Sequence, residues 1–70
     1  MSVSTLTVRE EIAQAADIAS LLFAPPVQQV FLEALLVAET YVDRGKLGTA
    51  EELKDALLAR MIDELTEENE

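Results

Sequence analysis

Two adjacent prolines divide the most apolar stretch of the chain. That stretch runs from Ile18 to Ala38 and contains a single charged residue, Glu33. An uninterrupted stretch of about 20 apolar residues would be long enough to span a membrane as a helix. Pro25 and Pro26 prevent a continuous helix, because proline has no N–H to donate and its ring clashes with the preceding turn. The sequence therefore predicts two helices joined by a short hinge, and no transmembrane segment.

The first helix is predicted over residues 8–23. Thr7 and Glu10 have the spacing of a capping box, in which each side chain bonds to a backbone N–H at the helix start. The helix is expected to end at Phe23, because Ala24 precedes a proline and is disfavoured in the α conformation. The apolar residues that share one face of this helix are Val8, Ile12, Ala15, Ala16, Ile18, Ala19, Leu22 and Phe23. This spacing is typical of an amphipathic helix packed on a core.

The second helix is predicted over residues 26–44. Pro26 suits the first position of a helix, where its missing N–H has no cost and its fixed φ fits the turn. Gly45 and Gly48 tolerate the positive φ at which many helices end. A short connection to a further helix is therefore expected after residue 44.

The third helix is predicted over residues 50–65. Thr49 and Glu52 repeat the capping-box spacing at its start, and residues 66–70 are expected to form a frayed acidic tail. The sequence thus predicts one all-α domain over residues 1–70, built from a helical hairpin and a third helix. Such a chain can close into a three-helix bundle or form an intertwined homodimer.

One alternative fold begins with a strand. Residues 2–8 alternate polar and apolar side chains, and a short strand followed by helices would suggest a ribbon-helix-helix DNA-binding dimer. That fold needs basic or amide side chains on the outward face of the strand, whereas this segment offers Ser and Thr. The net charge of −9 also repels phosphates, so the all-helical interpretation is preferred.

The residue types present exclude many kinds of active site. The chain contains no cysteine and no histidine, so it has no thiolate or imidazole ligand and no disulfide. Carboxylates recur at helical spacing in the pairs Glu51/Asp55 and Asp63/Glu67, which are interpreted as solvated faces. We therefore expect no catalytic residues, no metal site and no cofactor.

The charge balance limits the partners that the chain can bind directly. Fourteen acidic residues against five basic ones disfavour nucleic acid and membrane surfaces, which bind clusters of Lys and Arg. Half of the residues are apolar, which favours a folded chain over a disordered one. The N-terminal segment lacks the basic and apolar regions of a secretory signal, so a cytoplasmic location is predicted.

The second helix carries more apolar surface than one core face needs. Leu32 and Leu36, four residues apart, form a ridge among the polar residues opposite the predicted core face. The residues assigned to that core face are Val27, Val30, Phe31, Ala34, Leu35, Val37, Ala38, Tyr41 and Val42. Single exposed leucines are common, so the ridge is either ordinary surface or part of an interface.

The third helix has a similar excess. Leu53, Leu57 and Met61 form one apolar ridge, and Leu58, Ile62 and Leu65 form a second. Both ridges could sit in one groove between the other helices, or one of them could meet a partner. The chain has 24 large apolar residues beyond Met1, many for so small a core, which favours a homodimer. The predicted interface residues are Leu32, Leu36, Leu58 and Ile62.

These features predict a small acidic protein-interaction or regulatory module that is not an enzyme. It would form a homodimer and bind a further, basic protein. The main alternative is an inhibitor that imitates DNA and occupies the basic groove of a nucleic-acid-binding protein. The carboxylates that would imitate phosphates are Glu39, Asp43, Glu51, Glu52, Asp55, Asp63 and Glu64. An inactive accessory piece of an enzyme is a third hypothesis.

Overall fold

Three helices account for nearly all of residues 5–68, which are the residues that the structure, a computed structural model, describes. Helix α1 spans Thr5–Leu22, α2 spans Pro25–Asp43 and α3 spans Leu47–Glu68. Each helix packs on the other two, and α2 contacts α1 and α3 more extensively than these contact each other. The prediction of an all-α, three-helix fold is confirmed, and residues 5–68 include no strand. None of the three helices is long and apolar enough to cross a membrane.

The N-terminal segment is helical where the alternative fold required a strand. Helix α1 begins at Thr5, so Thr5–Val8 belong to its first turns, while residues 2–4 of the proposed strand lie outside the described residues. Thr7 consequently lies inside α1 and is not its capping residue. A capping box contributes only about 1 kcal/mol, so packing of the fully buried Val8 can extend the helix beyond it.

Helix α3 is longer at both ends than predicted. It begins at Leu47, which packs against the core, and its first helical bond runs from the Ala50 N–H to the Lys46 carbonyl at 3.0 Å. Thr49 therefore lies in the first turn and does not cap the helix. The helix continues through Glu68, so residues 66–68 of the predicted frayed tail are helical, and residues 69–70 lie outside the described residues.

The hinge forms at the two prolines, as the sequence predicts. Helix α2 begins at Pro25, one residue earlier than expected. Ala24 is extended, with φ −66° and ψ 154°, and Pro25 and Pro26 are the first two residues of α2. The side-chain amide of Gln28 donates a hydrogen bond of 2.9 Å to the Ser20 carbonyl. This bond satisfies one of the carbonyls left free at the end of α1 and ties the two helices together.

Two aromatic rings close the same end of the hairpin. Phe23 follows α1 and Phe31 lies on α2, and both side chains are buried. Their ring centroids are 5.1 Å apart with an interplanar angle of 31°. Tilted pairs at this distance are favourable beyond the apolar area they bury, so the pair stabilises the turn between α1 and α2.

Gly45 ends α2 with a left-handed backbone conformation. Its φ is +78°, its N–H donates to the Val42 carbonyl at 3.0 Å, and the Lys46 N–H donates to the Tyr41 carbonyl at 2.9 Å. These two bonds form a Schellman motif, which satisfies the last carbonyls of the helix. Gly48, by contrast, lies within α3 and does not adopt a positive φ.

Gly45→Ala and Gly48→Ala are expected to change stability in opposite directions. Alanine at position 45 is strained at positive φ and should lower the free energy of unfolding by about 1 kcal/mol. At position 48 an added Cβ meets no atom within 4 Å, so alanine should raise the free energy of unfolding by about 0.5 kcal/mol. Urea unfolding of the two variants measures both changes, and a loss at position 48 equal to that at position 45 would contradict this assignment.

The core is narrower on α2 than predicted. Val30 and Val37 were assigned to the core face, but they are 64% and 49% exposed. The buried residues of α2 are Phe31, Leu35, Ala38 and Val42. They pack with buried residues of the other segments, which are Val8, Ile12, Ala15, Ala19, Phe23, Ala50 and Met61. The apolar surface of α2 therefore extends past the core on both sides.

Candidate protein-interaction surfaces

An open apolar groove of about 270 Å³ lies between α1 and α2, and is here named the α1–α2 groove. Its lining residues are Arg9, Ile12, Ala13, Ala16, Leu32, Leu35, Leu36 and Glu39. Ala13 and Ala16 form the α1 wall, and these short side chains leave the space unfilled. On the α2 wall Leu32 is half-buried against the core, whereas Leu36 is 61% exposed. Two of the predicted interface residues thus share one surface.

A cluster of charges borders the α1–α2 groove. The Arg9 guanidinium pairs with the Glu39 carboxylate at 3.6 Å and also with the Asp43 carboxylate. Two carboxylates on one guanidinium leave this border with one negative charge in excess. The surroundings of the groove therefore favour a positively charged partner.

Leu58 and Ile62, the other two predicted interface residues, lie on a different surface. They continue the ridge of α3 that starts at Lys54, whose ammonium contacts Glu11 on α1. Leu58 packs partly against the core, and Ile62 is 63% exposed. On α1, Glu11 and the groove residue Ala13 lie on opposite sides of the buried ridge. Helix α1 therefore separates these two residues from Leu32 and Leu36, so the four do not form one surface.

Lys54 is a buried charged residue that the sequence interpretation did not identify. It is only 5% exposed, and its ammonium donates hydrogen bonds to the Glu11 carboxylate at 2.9 Å and the Asp55 carboxylate at 2.8 Å. Burial acts to lower the pKa of Lys54, but these hydrogen bonds and the attraction of both carboxylates outweigh it, so the pKa is raised above 10.5. Lys54 thus joins α3 to α1 as a charged residue within the bundle.

The position of Lys54 could have been recognised from helical spacing. The residue four positions before Lys54 and those three, four and seven positions after it share its face of the helix and are all apolar. They are Ala50, Leu57, Leu58 and Met61. A lysine among such neighbours buries its aliphatic stem while its ammonium reaches the edge of the core. In the described part of the chain no buried side-chain nitrogen or oxygen lacks a hydrogen-bond partner.

A second groove, of about 360 Å³, lies between α2 and α3 and is here named the α2–α3 groove. It is lined by Pro26, Val27, Val30, Phe31, Leu57, Arg60 and Glu64. Arg60 and Glu64 form an ion pair of 2.9 Å along one edge. The sequence interpretation missed this groove because it placed Val27 and Val30 in the core.

The carboxylates of the DNA-mimic hypothesis are partly engaged in ion pairs. Of the seven, Glu39 and Asp43 pair with Arg9, Asp55 pairs with Lys54, and Glu64 pairs with Arg60. Across residues 5–68, no three acidic side chains come together in a way that could hold a metal ion. The paired carboxylates offer less net charge to a basic partner than seven unpaired ones would.

The two grooves combine apolar walls with charged edges. Comparisons of the chain with protein-family models, with curated proteins and with solved structures found no match. The geometry and charge of these surfaces are therefore the observations from which a function can be proposed.

Proposed function

We propose that the chain is a non-enzymatic protein-interaction module of the cytoplasm that forms a homodimer and regulates a basic partner protein. The partner inserts an amphipathic helix into the α1–α2 groove. The observation that supports this most is the pairing of short and long apolar side chains, Ala13 and Ala16 opposite Leu32 and Leu36, around unfilled space. Leu36 is mostly exposed there, and covering it would give an incoming helix a hydrophobic contact.

A helix fits the α1–α2 groove because helices pack by placing the side-chain ridge of one into the groove of another. The groove is lined only by residues of α1 and α2, so it opens on the side of the hairpin that α3 does not cover. A partner helix there would add a fourth helix to the bundle. This is the helix-in-groove mode, in which apolar residues at intervals of three and four anchor the bound segment.

The charge of the module favours a basic partner. The chain has a net charge of −9, and the Arg9 cluster beside the groove retains one excess negative charge. Lysine or arginine residues flanking the apolar stripe of a partner helix would be attracted to this border and would accelerate association. The same charge opposes acidic segments, which gives the groove a means of discrimination.

The DNA-mimic hypothesis has less support, because four of its seven carboxylates already have basic partners. The two functions differ in their salt dependence. A mimic of the phosphate array should lose affinity steeply as salt rises, whereas an apolar groove contact should lose much less.

The proposal can be tested with a labelled synthetic peptide that forms an amphipathic helix with a leucine stripe and flanking lysines. Fluorescence anisotropy should detect its binding to the wild-type chain. Ala13→Leu should fill the groove and weaken binding by about tenfold or more, since covering one leucine is worth about 1.5–3 kcal/mol. Ala56→Leu adds the same side chain to an exposed position of α3 and should leave the affinity unchanged.

A second peptide with the same composition but a scrambled leucine stripe provides the control for charge. It should bind the wild-type chain much more weakly than the first peptide. Equal binding of both peptides, or equal affinity for the Ala13→Leu and wild-type chains, would show that the groove is not the binding site. Binding that disappears in high salt would favour the phosphate-mimic function.

A further inference from the structure

Helix α2 carries a second apolar seam, separate from the seam that it buries in the core. The buried seam consists of Phe31, Leu35, Ala38 and Val42. The second one, named the outer seam, consists of Val27, Val30, Ala34, Val37 and Tyr41. Its members follow one another at intervals of three, four, three and four residues, which is the spacing of a coiled-coil contact. Val30 and Val37 are its most exposed members.

The outer seam is complementary to itself when two copies run antiparallel. Its members lie four and seven residues before Ala34 and three and seven residues after it, so a two-fold axis at Ala34 places Val30 within one residue of Val37 of the partner subunit. The same axis places Val27 opposite Tyr41 of the partner subunit. Ala34 has a small side chain, which lets the two helices approach closely at the centre. Such self-complementarity is what a two-fold homodimer interface requires.

The charge distribution favours binding of a second copy at the outer seam over binding at the outer face of α3. The edge of the outer seam carries one carboxylate, Glu33, and the Arg9 cluster beside the α1–α2 groove has the same single excess negative charge. The outer face of α3 is more acidic, since it displays Glu52, Asp55, Asp63 and Glu67. In a chain of net charge −9, self-association is least opposed where carboxylates are fewest.

The area required by a stable dimer extends the contact onto α3. Such an interface buries about 800 Å² per subunit, which is more than five positions of one helix provide. The α2–α3 groove adjoins the outer seam, because Val27 and Val30 belong to both, and Leu57 forms its α3 wall. Together the outer seam and this groove form a continuous apolar surface over two helices.

We propose that two copies of the chain associate through the outer seam, with their α2 helices antiparallel and crossing at Ala34. This inference rests on the homodimer of the proposed function and specifies its contact surface. Leu32 and Leu36 lie on the opposite side of the buried seam, so both α1–α2 grooves of the dimer remain open. A dimer of this kind presents two partner sites and can bind a bivalent partner with increased avidity.

Single-cysteine variants test this arrangement directly, because the natural chain contains no cysteine. In the antiparallel dimer, Ala34→Cys places the two thiols beside the two-fold axis, so mild oxidation should give a disulfide-linked dimer. Val27→Cys places them about 20 Å apart along the helices and should remain unlinked. A parallel pairing would link both variants, and linkage of Val27→Cys as efficiently as Ala34→Cys would overturn the proposal.

Sedimentation equilibrium distinguishes the outer seam from other dimer surfaces. Val30→Glu should weaken the dimer at least about tenfold without loss of helicity, because it places a charge in the contact. Leu36→Glu alters a residue of almost equal exposure on the other flank of α2 and should leave the dimer intact. Glu33→Gln should strengthen the dimer, because it removes repulsion between two carboxylates near the two-fold axis.

The measurements distinguish failure of the outer seam from failure of the homodimer and from failure of partner binding. A wild-type chain that stays monomeric at 100 μM, a concentration chosen to be about a hundredfold above a micromolar dissociation constant, removes the homodimer altogether. If Val30→Glu does not weaken the dimer, then the chain dimerises through a surface other than the outer seam. Neither result affects peptide binding in the α1–α2 groove, which the Ala13→Leu variant reports independently.

Discussion

Leu35→Glu is expected to unfold the chain, whereas Leu36→Glu is expected to leave it folded. Leu35 is 2% exposed and belongs to the buried seam of α2, so glutamate there removes a core leucine and buries an unpaired charge. Loss of the leucine alone costs about 2–5 kcal/mol. A domain of this size has about 3–5 kcal/mol of total stability, so the variant should be largely unfolded.

Leu36 is the matched control for this experiment, because it is the next residue and carries the same side chain. Its glutamate variant should change the free energy of unfolding by less than about 1 kcal/mol, as is usual for exposed positions. Far-ultraviolet circular dichroism and urea unfolding measure both effects. If the two variants have similar helicity and similar urea midpoints, then the faces of α2 have been assigned wrongly.

The three helices were predictable because each signal for them is local and strong. Two consecutive prolines must interrupt a helix, and Gly45 supplies the positive φ at which α2 ends. The exact starts of α1 and α3 were not predictable from Thr7 and Thr49. A capping box is a weak local preference, and packing of Val8 and Leu47 extends both helices beyond it.

The assignment of faces on α2 shows where helical periodicity stops being informative. Its apolar residues cover so wide an arc that either edge could have been buried. Only the positions of α1 and α3 decide that Phe31 and Leu35 are covered while Val30 and Val37 are not. Leu36 and Ile62 can be placed off the core from the sequence, but whether they meet each other depends on how the helices are arranged.

Lys54 is a buried charged residue for which the sequence analysis made no prediction. Lysine is seldom fully buried unless it is paired, and its partner Glu11 lies 43 residues away on another helix. Spacing could have indicated burial of the aliphatic stem. The ion pair that offsets the desolvation cost of the buried ammonium depends on the packing of α1 against α3, which no local pattern specifies.

Replacing Lys54 should separate the contribution of its stem from that of its charge. Lys54→Ala removes the buried methylenes and should lower the free energy of unfolding by about 2–3 kcal/mol at pH 7, at about 0.8 kcal/mol for each one. Lys54→Met keeps a stem of similar length. Its stability should stay within about 1 kcal/mol of the wild type, because the desolvation cost of the buried ammonium offsets much of what its ion pairs contribute. Glu11 and Asp55 are partly exposed and remain hydrated without their partner.

The charge of Lys54 should become visible at alkaline pH. Its pKa is raised above 10.5 in the folded chain, so the folded state holds this proton more tightly than the unfolded state. The contribution of the ion pairs is therefore complete below pH 10.5 and is lost as the pH rises through the folded pKa. Lys54→Met has no such proton, so it should become more stable relative to the wild type as the pH increases above 10.5.

Urea unfolding between pH 7 and 12 measures the difference in free energy of unfolding between the wild type and Lys54→Met. This range includes the ordinary lysine pKa of about 10.4. Other groups also titrate there, but they are common to both chains and their effects cancel in the comparison. Two stability curves that stay parallel across this range would mean that the ammonium gains nothing from Glu11 and Asp55. A widening gap in favour of Lys54→Met would instead show that the Lys54 ion pairs, of which the Glu11 pair joins α3 to α1, stabilise the fold at neutral pH and are lost in alkali.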